Sequence, residues 1–229
     1  MLTIPMVENP ITYKKNNFVN SDFIKIESTD MIDVQMQYPI LKMENAEIDC
    51  LVRREVYQKL IEANSFLPKG YKLRIWDAWR PFLLQYELYE KYSQFIIQTY
   101  GICNESEEYK DRFISKYVSS PSKNRNLPPV HTTGGAVDVT LIDEKGNELN
   151  MGTTFDEFSE QTKTAYFESK DDNVVRDNRR LLYTAMTRAG FTNLPSEWWH
   201  FDYGDWFWAY YNNVPSMYRG VFTKEEING

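Results

Sequence analysis

The chain contains only two histidines, and each of them lies close to acidic residues that could share its chemistry. The first begins the segment His131-Thr-Thr-Gly-Gly-Ala-Val-Asp138, and the second ends the segment Glu197-Trp-Trp-His200. Catalytic zinc sites commonly use three protein ligands of the imidazole and carboxylate type and keep a fourth position for water. His131, Asp138 and His200 would supply these three ligands. The pattern therefore predicts a catalytic zinc site.

The spacing of these residues sets conditions on the fold. An extended chain would hold His131 and Asp138 roughly 23 Å apart, at about 3.3 Å per residue, so the segment between them must reverse its direction. Gly134-Gly135 favours such a tight reversal. Glu197 precedes His200 by three positions, so a turn there would direct both side chains to one point. As a fourth ligand Glu197 would close the site to water, and we therefore expect it to be a base.

The elements that must position these residues follow from the pattern of apolar side chains. Helical periodicity predicts four helices, over residues 46–65, 81–100, 107–118 and 174–189. Alternation and aromatic content predict three strands, over residues 71–76, 136–142 and 197–203. Pro81 fits a first helical position. Helices around a few strands predict one α+β domain over residues 1–229, with a mainly antiparallel central sheet flanked by helices and the zinc site at the sheet.

Composition limits the kind of protein. The net charge of −7 and the absence of a basic cluster argue against nucleic-acid binding. No stretch approaches about 18 consecutive apolar residues, so no membrane span is expected. The N-terminus lacks the basic and apolar regions of a signal peptide. We expect Cys50 and Cys103 to be buried thiols rather than a disulfide, and the protein to be cytoplasmic.

An ordered set of motifs resembles the VanX-type D-alanyl-D-alanine dipeptidases, zinc enzymes related to D,D-carboxypeptidases and some phage endolysins. Besides the two histidine motifs, the set contains Asp77-Ala-Trp-Arg-Pro81, Gly135-Ala-Val-Asp-Val-Thr-Leu141 and Met151-Gly-Thr-Thr-Phe-Asp156. The last motif is more typical of the dipeptidases than of the carboxypeptidases. The matches extend from about Trp76 to Asp202, which is over half of the chain.

The resemblance implies roles for the residues that match the family motifs. His131, Asp138 and His200 would bind one zinc ion per chain. Glu197 would be the general base that activates the metal-bound water, and Arg80 would stabilise the developing oxyanion. In this family the reaction is the hydrolysis of a small dipeptide, with a part in cell-wall metabolism.

The resemblance also concerns the substrate. Asp156 matches a family acid that recognises the free amine of D-alanyl-D-alanine, or of a closely similar dipeptide. Pro129 departs from the family, which often has serine at this position, so a substrate hydrogen bond attributed to that serine is absent or replaced. Arg74 is a weaker alternative to Arg80, since a cation on a strand is more often a solvated surface group.

Two alternative functions share the metal motif. A D,D-carboxypeptidase or endolysin would act on intact cell-wall peptides, and it should have an open groove and usually an export signal. A non-catalytic, zinc-stabilised binding domain would bind metal without turnover, and it would need neither Glu197 nor Arg80. The oligomeric state and the physiological role stay open at this point.

Overall fold

The structure, a computed structural model, describes residues 1–115, 118 and 120–228. Its strands are β1 (Phe23–Ile26), β2 (Ile32–Val34), β3 (Cys50–Arg53), β4 (Lys72–Asp77), β5 (Ala136–Ile142), β6 (Thr192–Asn193) and β7 (His200–Asp202). Its α-helices are α1 (Gln37–Ile40), α2 (Arg54–Ser65), α3 (Phe82–Thr99), α4 (Glu107–Ile114), α5 (Asn173–Arg188), α6 (Trp206–Asn212) and α7 (Glu225–Asn228). Short 3-10 turns lie at Val130–Thr133, Glu160–Thr162 and Tyr166–Ser169. None of the helices in these ranges is long and apolar enough to cross a membrane.

The central sheet has five strands in the order β2-β4-β5-β7-β6. Its neighbouring strands are antiparallel, except for the parallel pair β2–β4. β1 and β3 form a separate antiparallel pair. The predicted α+β class with a mainly antiparallel sheet is therefore confirmed.

β5 lies in the middle of this sheet and is buried along its whole length. Successive side chains of a strand point to opposite faces. Val137, Val139 and Leu141 accordingly join the hydrophobic core, together with Leu60 of α2 and Leu182 of α5. Asp138, the acidic residue of β5, points to the opposite face of the sheet. The core thus fixes the strand that carries the polar site.

The predicted helix over residues 46–65 is wrong in its first half. Cys50–Arg53 form β3, which is buried throughout and paired with β1, and the helix begins only at Arg54. A short apolar run is compatible with a helix or a buried strand, and here the partner strand Phe23–Ile26 decides between them. In addition, Pro81 is the residue before α3 rather than its first residue.

Two smaller expectations are also corrected. The helix predicted over residues 107–118 ends at Ile114, and residues 116 and 117 of that range lie outside the described residues. Both cysteines are free, as expected, but only Cys50 is buried. Cys103 is exposed, because it lies in the polar connection between α3 and α4.

Candidate active site

Three adjacent strands place polar side chains side by side at the centre of the sheet. Asp138 on β5 lies opposite Asp77 on β4 and opposite His200 on β7. A register shift just before Asp77 makes the strand irregular, and such a bulge can re-aim a side chain. His131 reaches the same place from the 3-10 turn Val130–Thr133 that precedes β5.

Two glycines produce the predicted reversal between His131 and Asp138. Gly134 has a φ of +73°, the left-handed region that glycine adopts readily. A Cβ atom at Gly135 would lie 2.6 Å from the carbonyl oxygen of Tyr203, so a larger residue would push β5 and the end of β7 apart. The reversal is confirmed, and the second glycine permits close packing of the two strands.

His131, Asp138 and His200 converge to a small triangle of ligand atoms, which we call the ligand triangle. His131 Nε2 lies 3.1 Å from His200 Nδ1, and Asp138 Oδ1 lies 3.1 Å from His200 Nδ1 and 3.5 Å from His131 Nε2. Ligands about 2.0–2.1 Å from a tetrahedral zinc ion are about 3.3–3.4 Å from one another. The three side chains, each at most 4% exposed, are therefore spaced for an ion of this size.

The second nitrogen of each imidazole has a hydrogen-bond acceptor. His131 Nδ1 lies 2.8 Å from the carbonyl oxygen of Ala78, and His200 Nε2 lies 2.9 Å from Asp202 Oδ1. These acceptors favour a proton on the outer nitrogens, so the inner nitrogens can present lone pairs to a metal. Burial alone would raise the pKa of Asp138, but the two imidazoles outweigh burial and lower it, which suits an anionic ligand.

Glu197 lies at the edge of the ligand triangle. The backbone turns here, since the N–H of His200 donates to the carbonyl of Glu197, and this turn agrees with the expected local geometry. Glu197 Oε2 is 4.0 Å from His200 Nδ1, and its side chain is 38% exposed. Partial loss of hydration at the carboxyl group, with added repulsion from Asp138 and Asp156, raises the pKa of Glu197 to about 7. Such a value suits a general base at neutral pH.

Arg80 is held rigidly beside the ligand triangle. Its Nε donates to Asp77 Oδ2 at 2.9 Å, its Nη1 to Gln85 Oε1 at 2.8 Å and its Nη2 to the Tyr38 hydroxyl at 3.2 Å. Nη2 also lies 3.6 Å from Asp138 Oδ2. Burial would lower the pKa of Arg80, but the surrounding acidic groups raise it, so the guanidinium stays charged. A fixed cation is thus available next to the ligands.

Asp156 belongs to the same polar group. Its Oδ2 accepts from the hydroxyls of Tyr38 at 2.8 Å and Tyr92 at 2.6 Å. The Tyr38 hydroxyl therefore bridges Asp156 and Arg80. Among the described residues, both hydroxyl groups donate their hydrogen bonds to Oδ2, so Oδ1 can accept a hydrogen bond from a bound cation. Burial raises the pKa of Asp156, so a partner cation would stabilise its ionised form.

Arg74, the weaker alternative to Arg80, lies elsewhere on the sheet. Its Nε donates to Asp33 Oδ2 at 2.6 Å and its Nη1 to Glu148 Oε1 at 3.2 Å. Pro129 precedes the 3-10 turn, and its carbonyl accepts from both the backbone and the hydroxyl of Thr132. Of the two arginines, the structure brings only Arg80 to the ligand triangle.

Four residues of this site were missed from the sequence: Tyr38, Asp77, Tyr92 and Asp202. The sequence could have identified Asp202, because it follows His200 by two positions on a strand and its side chain must therefore face the same side. It could also have identified Asp77, since this residue stands three positions before Arg80. The two tyrosines come from α1 and α3, and no local motif marks them.

Proteins of known sequence identify the family of this chain. The peptidase M15 family, described as D-ala-D-ala dipeptidase, matches residues 40–218. The chain belongs to this family. The matched range contains every residue for which the sequence predicted a role in the site. The chain is therefore a peptidase, and the expectation of a hydrolase is confirmed.

Individual relatives agree with the family match. A D-alanyl-D-alanine dipeptidase of Synechocystis sp. is 30% identical over 180 residues, which cover 71% of this chain and 73% of the relative. The protein of the same name from Escherichia coli K12 is 30% identical over 191 residues, covering 77% and 86%. A third, from Enterococcus faecium, is 29% identical over 154 residues, covering 64% and 70%.

Proposed function

We propose that this peptidase is a zinc-dependent dipeptidase that hydrolyses D-alanyl-D-alanine or a closely similar small dipeptide. The ligand triangle, with Glu197 at its edge and Arg80 beside it, supports this function most directly. The names of the relatives support the choice of substrate. We also assign residues 1–229 to a single peptidase domain, because the N-terminal segment contacts the C-terminal part of the chain through Asn17 and Ser216.

The donor set suits zinc, since two imidazoles and one carboxylate are typical ligands of catalytic zinc. A zinc ion bound by His131, Asp138 and His200 would polarise the scissile carbonyl and acidify the attacking water. Glu197 takes a proton from that water and later passes it to the leaving amine. Arg80 donates hydrogen bonds to the oxygen on which negative charge develops, and its fixed position avoids reorganisation during the reaction.

Asp156 recognises the free ammonium group of the dipeptide. Its carboxylate is largely removed from solvent, and a bound ammonium would supply the missing counter-charge. An acylated amine carries no charge, so it would bring no cation to this carboxylate. The site should therefore distinguish a free dipeptide from the same dipeptide at the end of a longer chain.

The test uses the purified full-length chain with D-Ala-D-Ala, N-acetyl-D-Ala-D-Ala and a pentapeptide ending in D-Ala-D-Ala. We expect hydrolysis of the free dipeptide, loss of activity with a chelator and recovery with zinc. Glu197→Ala should lower kcat by about 10²- to 10⁴-fold and Arg80→Ala by about 10²- to 10³-fold. Arg74→Ala is the matched control, because Arg74 lies outside the site, and it should keep its activity.

The same experiment separates the alternatives. Equal rates on free and blocked substrates would refute the role of Asp156 and favour a carboxypeptidase or endolysin activity. Zinc binding without turnover of any substrate would favour a non-catalytic binding domain. Near-normal turnover by Glu197→Ala would show that the base has been assigned wrongly.

A further inference from the structure

A groove leads from the site to the surface along α3. It has a volume of about 610 Å³, and Asp156, Glu197 and Trp199 line it at the site. On α3 its wall is mainly apolar and aromatic, with Tyr92, Phe95 and Ile96, and Phe158 adds a further ring from the loop after Asp156. The rest of the lining is largely polar and includes Glu160 and Lys163. The metal-ligand residues do not line it. The groove therefore opens on the side of the site where the substrate amine is expected.

Phe158 joins the aromatic side chains into one surface, which we call the aromatic wall (Tyr92, Phe95 and Phe158). The ring centroid of Phe158 lies 4.7 Å from that of Tyr92 and 5.4 Å from that of Phe95. Phe95 is 49% exposed and Phe158 is 46% exposed, so much of each ring faces solvent. Contiguous exposed apolar surface next to a polar site is typical of ligand-binding sites.

The aromatic wall is linked directly to the proposed ammonium site. Phe158 follows Asp156 by two residues, and the Tyr92 hydroxyl donates to Asp156 Oδ2 at 2.6 Å. In a dipeptide, the Cα of the N-terminal residue lies between its ammonium group and the scissile carbonyl. If the ammonium is on Asp156 and the carbonyl is at the ligand triangle, this Cα lies close to the end of the groove that Asp156 and Glu197 line, and its side chain can extend into the groove.

We propose that the aromatic wall binds the side chain of the N-terminal residue of the dipeptide, and that the enzyme prefers D-dipeptides in which this side chain is large and apolar or aromatic. This inference rests on the proposed function, since it uses the ammonium site at Asp156. A longer peptide is excluded as the occupant, because extension at the amine would remove the charge that pairs with this carboxylate.

The size of the expected preference follows from the apolar surface that a larger side chain covers. The methyl group of alanine reaches little of the wall, whereas an isobutyl or benzyl group can lie against the rings of Phe95 and Phe158. Each buried methylene increases binding roughly fourfold, so two additional buried carbons would increase it by more than about tenfold. We expect kcat/KM for D-Leu-D-Ala or D-Phe-D-Ala to exceed that for D-Ala-D-Ala by about tenfold or more.

The experiment measures kcat/KM of the zinc-loaded, full-length protein for D-Ala-D-Ala, D-Leu-D-Ala, D-Phe-D-Ala and D-Ala-D-Phe. Phe95→Ala and Phe158→Ala should each lower the ratio of D-Phe-D-Ala to D-Ala-D-Ala by about fivefold or more. Phe95 stands on a helix, away from Asp156 in sequence, so its variant tests the wall without changing the loop that carries the carboxylate. Leu83→Ala is the matched control, because Leu83 is 63% exposed on α3 but does not line the groove.

The outcomes distinguish the inference from the proposed function. A preference for large N-terminal side chains that both phenylalanine variants reduce and Leu83→Ala retains would support the inference. Hydrolysis of D-Ala-D-Ala with no such preference, or a preference that the variants leave unchanged, would overturn it and keep the proposed function. A preference for D-Ala-D-Phe that the variants abolish would also overturn it. Failure to cleave any of the four dipeptides would overturn the proposed function itself.

Discussion

Zinc binding should stabilise the fold, because the ligand triangle lies in a strongly acidic surrounding. Asp77, Asp138 and Asp202 are each at most 2% exposed, and Glu197 Oε2 lies 4.0 Å from His200 Nδ1 of the triangle. In the zinc-free protein the guanidinium of Arg80 and the protonated imidazole of His200 offset part of this negative charge. A divalent ion at the triangle would offset the remaining negative charge. Removal of zinc with a chelator is therefore the perturbation to apply.

The expected magnitude follows from mass action. A ligand that binds only the folded state at a free concentration about 1,000 times its Kd stabilises that state by about 4 kcal/mol. In a domain of 229 residues, about 1 kcal/mol corresponds to roughly 2–4 °C in Tm. Saturating zinc should therefore raise Tm by roughly 8–16 °C.

This increment should be larger at pH 8 than at pH 6. Burial would lower the pKa of His200, but Asp202 and Asp138 raise it well above its ordinary value. The protonated imidazole stabilises the zinc-free fold fully below about pH 6.5, and this contribution is lost as the pH rises through the higher folded pKa. At low pH zinc must displace this proton, so its apparent affinity should rise by up to about tenfold per pH unit.

Thermal unfolding followed by circular dichroism, with a chelator or with fixed free zinc at pH 6 and pH 8, measures both effects. His131→Ala removes one ligand and should abolish the increment. Cys103→Ser is the control for adventitious binding to the exposed thiol, and it should keep the increment. An equal increment in His131→Ala, or none at either pH in the unaltered chain, would refute zinc binding at the ligand triangle.

Two further predictions concern stability alone. Glu197→Gln should raise the Tm of the zinc-free protein at pH 8 but not at pH 4, because a carboxyl with a folded pKa of about 7 destabilises the fold once it ionises. Thermal unfolding with a chelator measures this difference, and an unchanged Tm at pH 8 would contradict the prediction. Arg53→Met should destabilise by about 2–4 kcal/mol, because its buried guanidinium donates to the carbonyls of Ser21 and Thr133. In urea unfolding the neighbouring Arg54→Met, which loses an exposed ion pair, should cost less than about 1 kcal/mol, and equal losses would contradict the prediction.

The sequence predicted which residues lie together at the candidate site, because metal binding depends on residue type more than on precise geometry. Because the chain has two histidines, only a few combinations of metal ligands that include both were possible. The spacing from His131 to Asp138 then required the chain reversal that forms at Gly134. The strand around Asp138 was also predictable, because its alternating pattern reflects one core face and one polar face. These features are encoded within short segments.

The parts that the sequence did not predict depend on contacts between distant segments. Cys50–Arg53 is a strand because Phe23–Ile26 pairs with it, and no pattern within residues 46–65 indicates this pairing. Tyr38 and Tyr92 become site residues only because α1 and α3 approach the same carboxylate from different sides. Local patterns therefore predict the ligands of this site, whereas its supporting hydrogen bonds require the fold.

The features that oppose local stability are concentrated at the candidate site. Asp156 has a φ of +55°, which is unfavourable for a residue other than glycine. The pKa of Glu197 is raised, so its ionised form is disfavoured in the fold. Asp77 and Asp138 are buried as neighbours on adjacent strands. A sheet centre selected only for stability would hold apolar side chains at these places. Their clustering around the ligand triangle, with Asp156 linked to the aromatic wall through Tyr92, supports the proposal that substrate binding and hydrolysis share this one location.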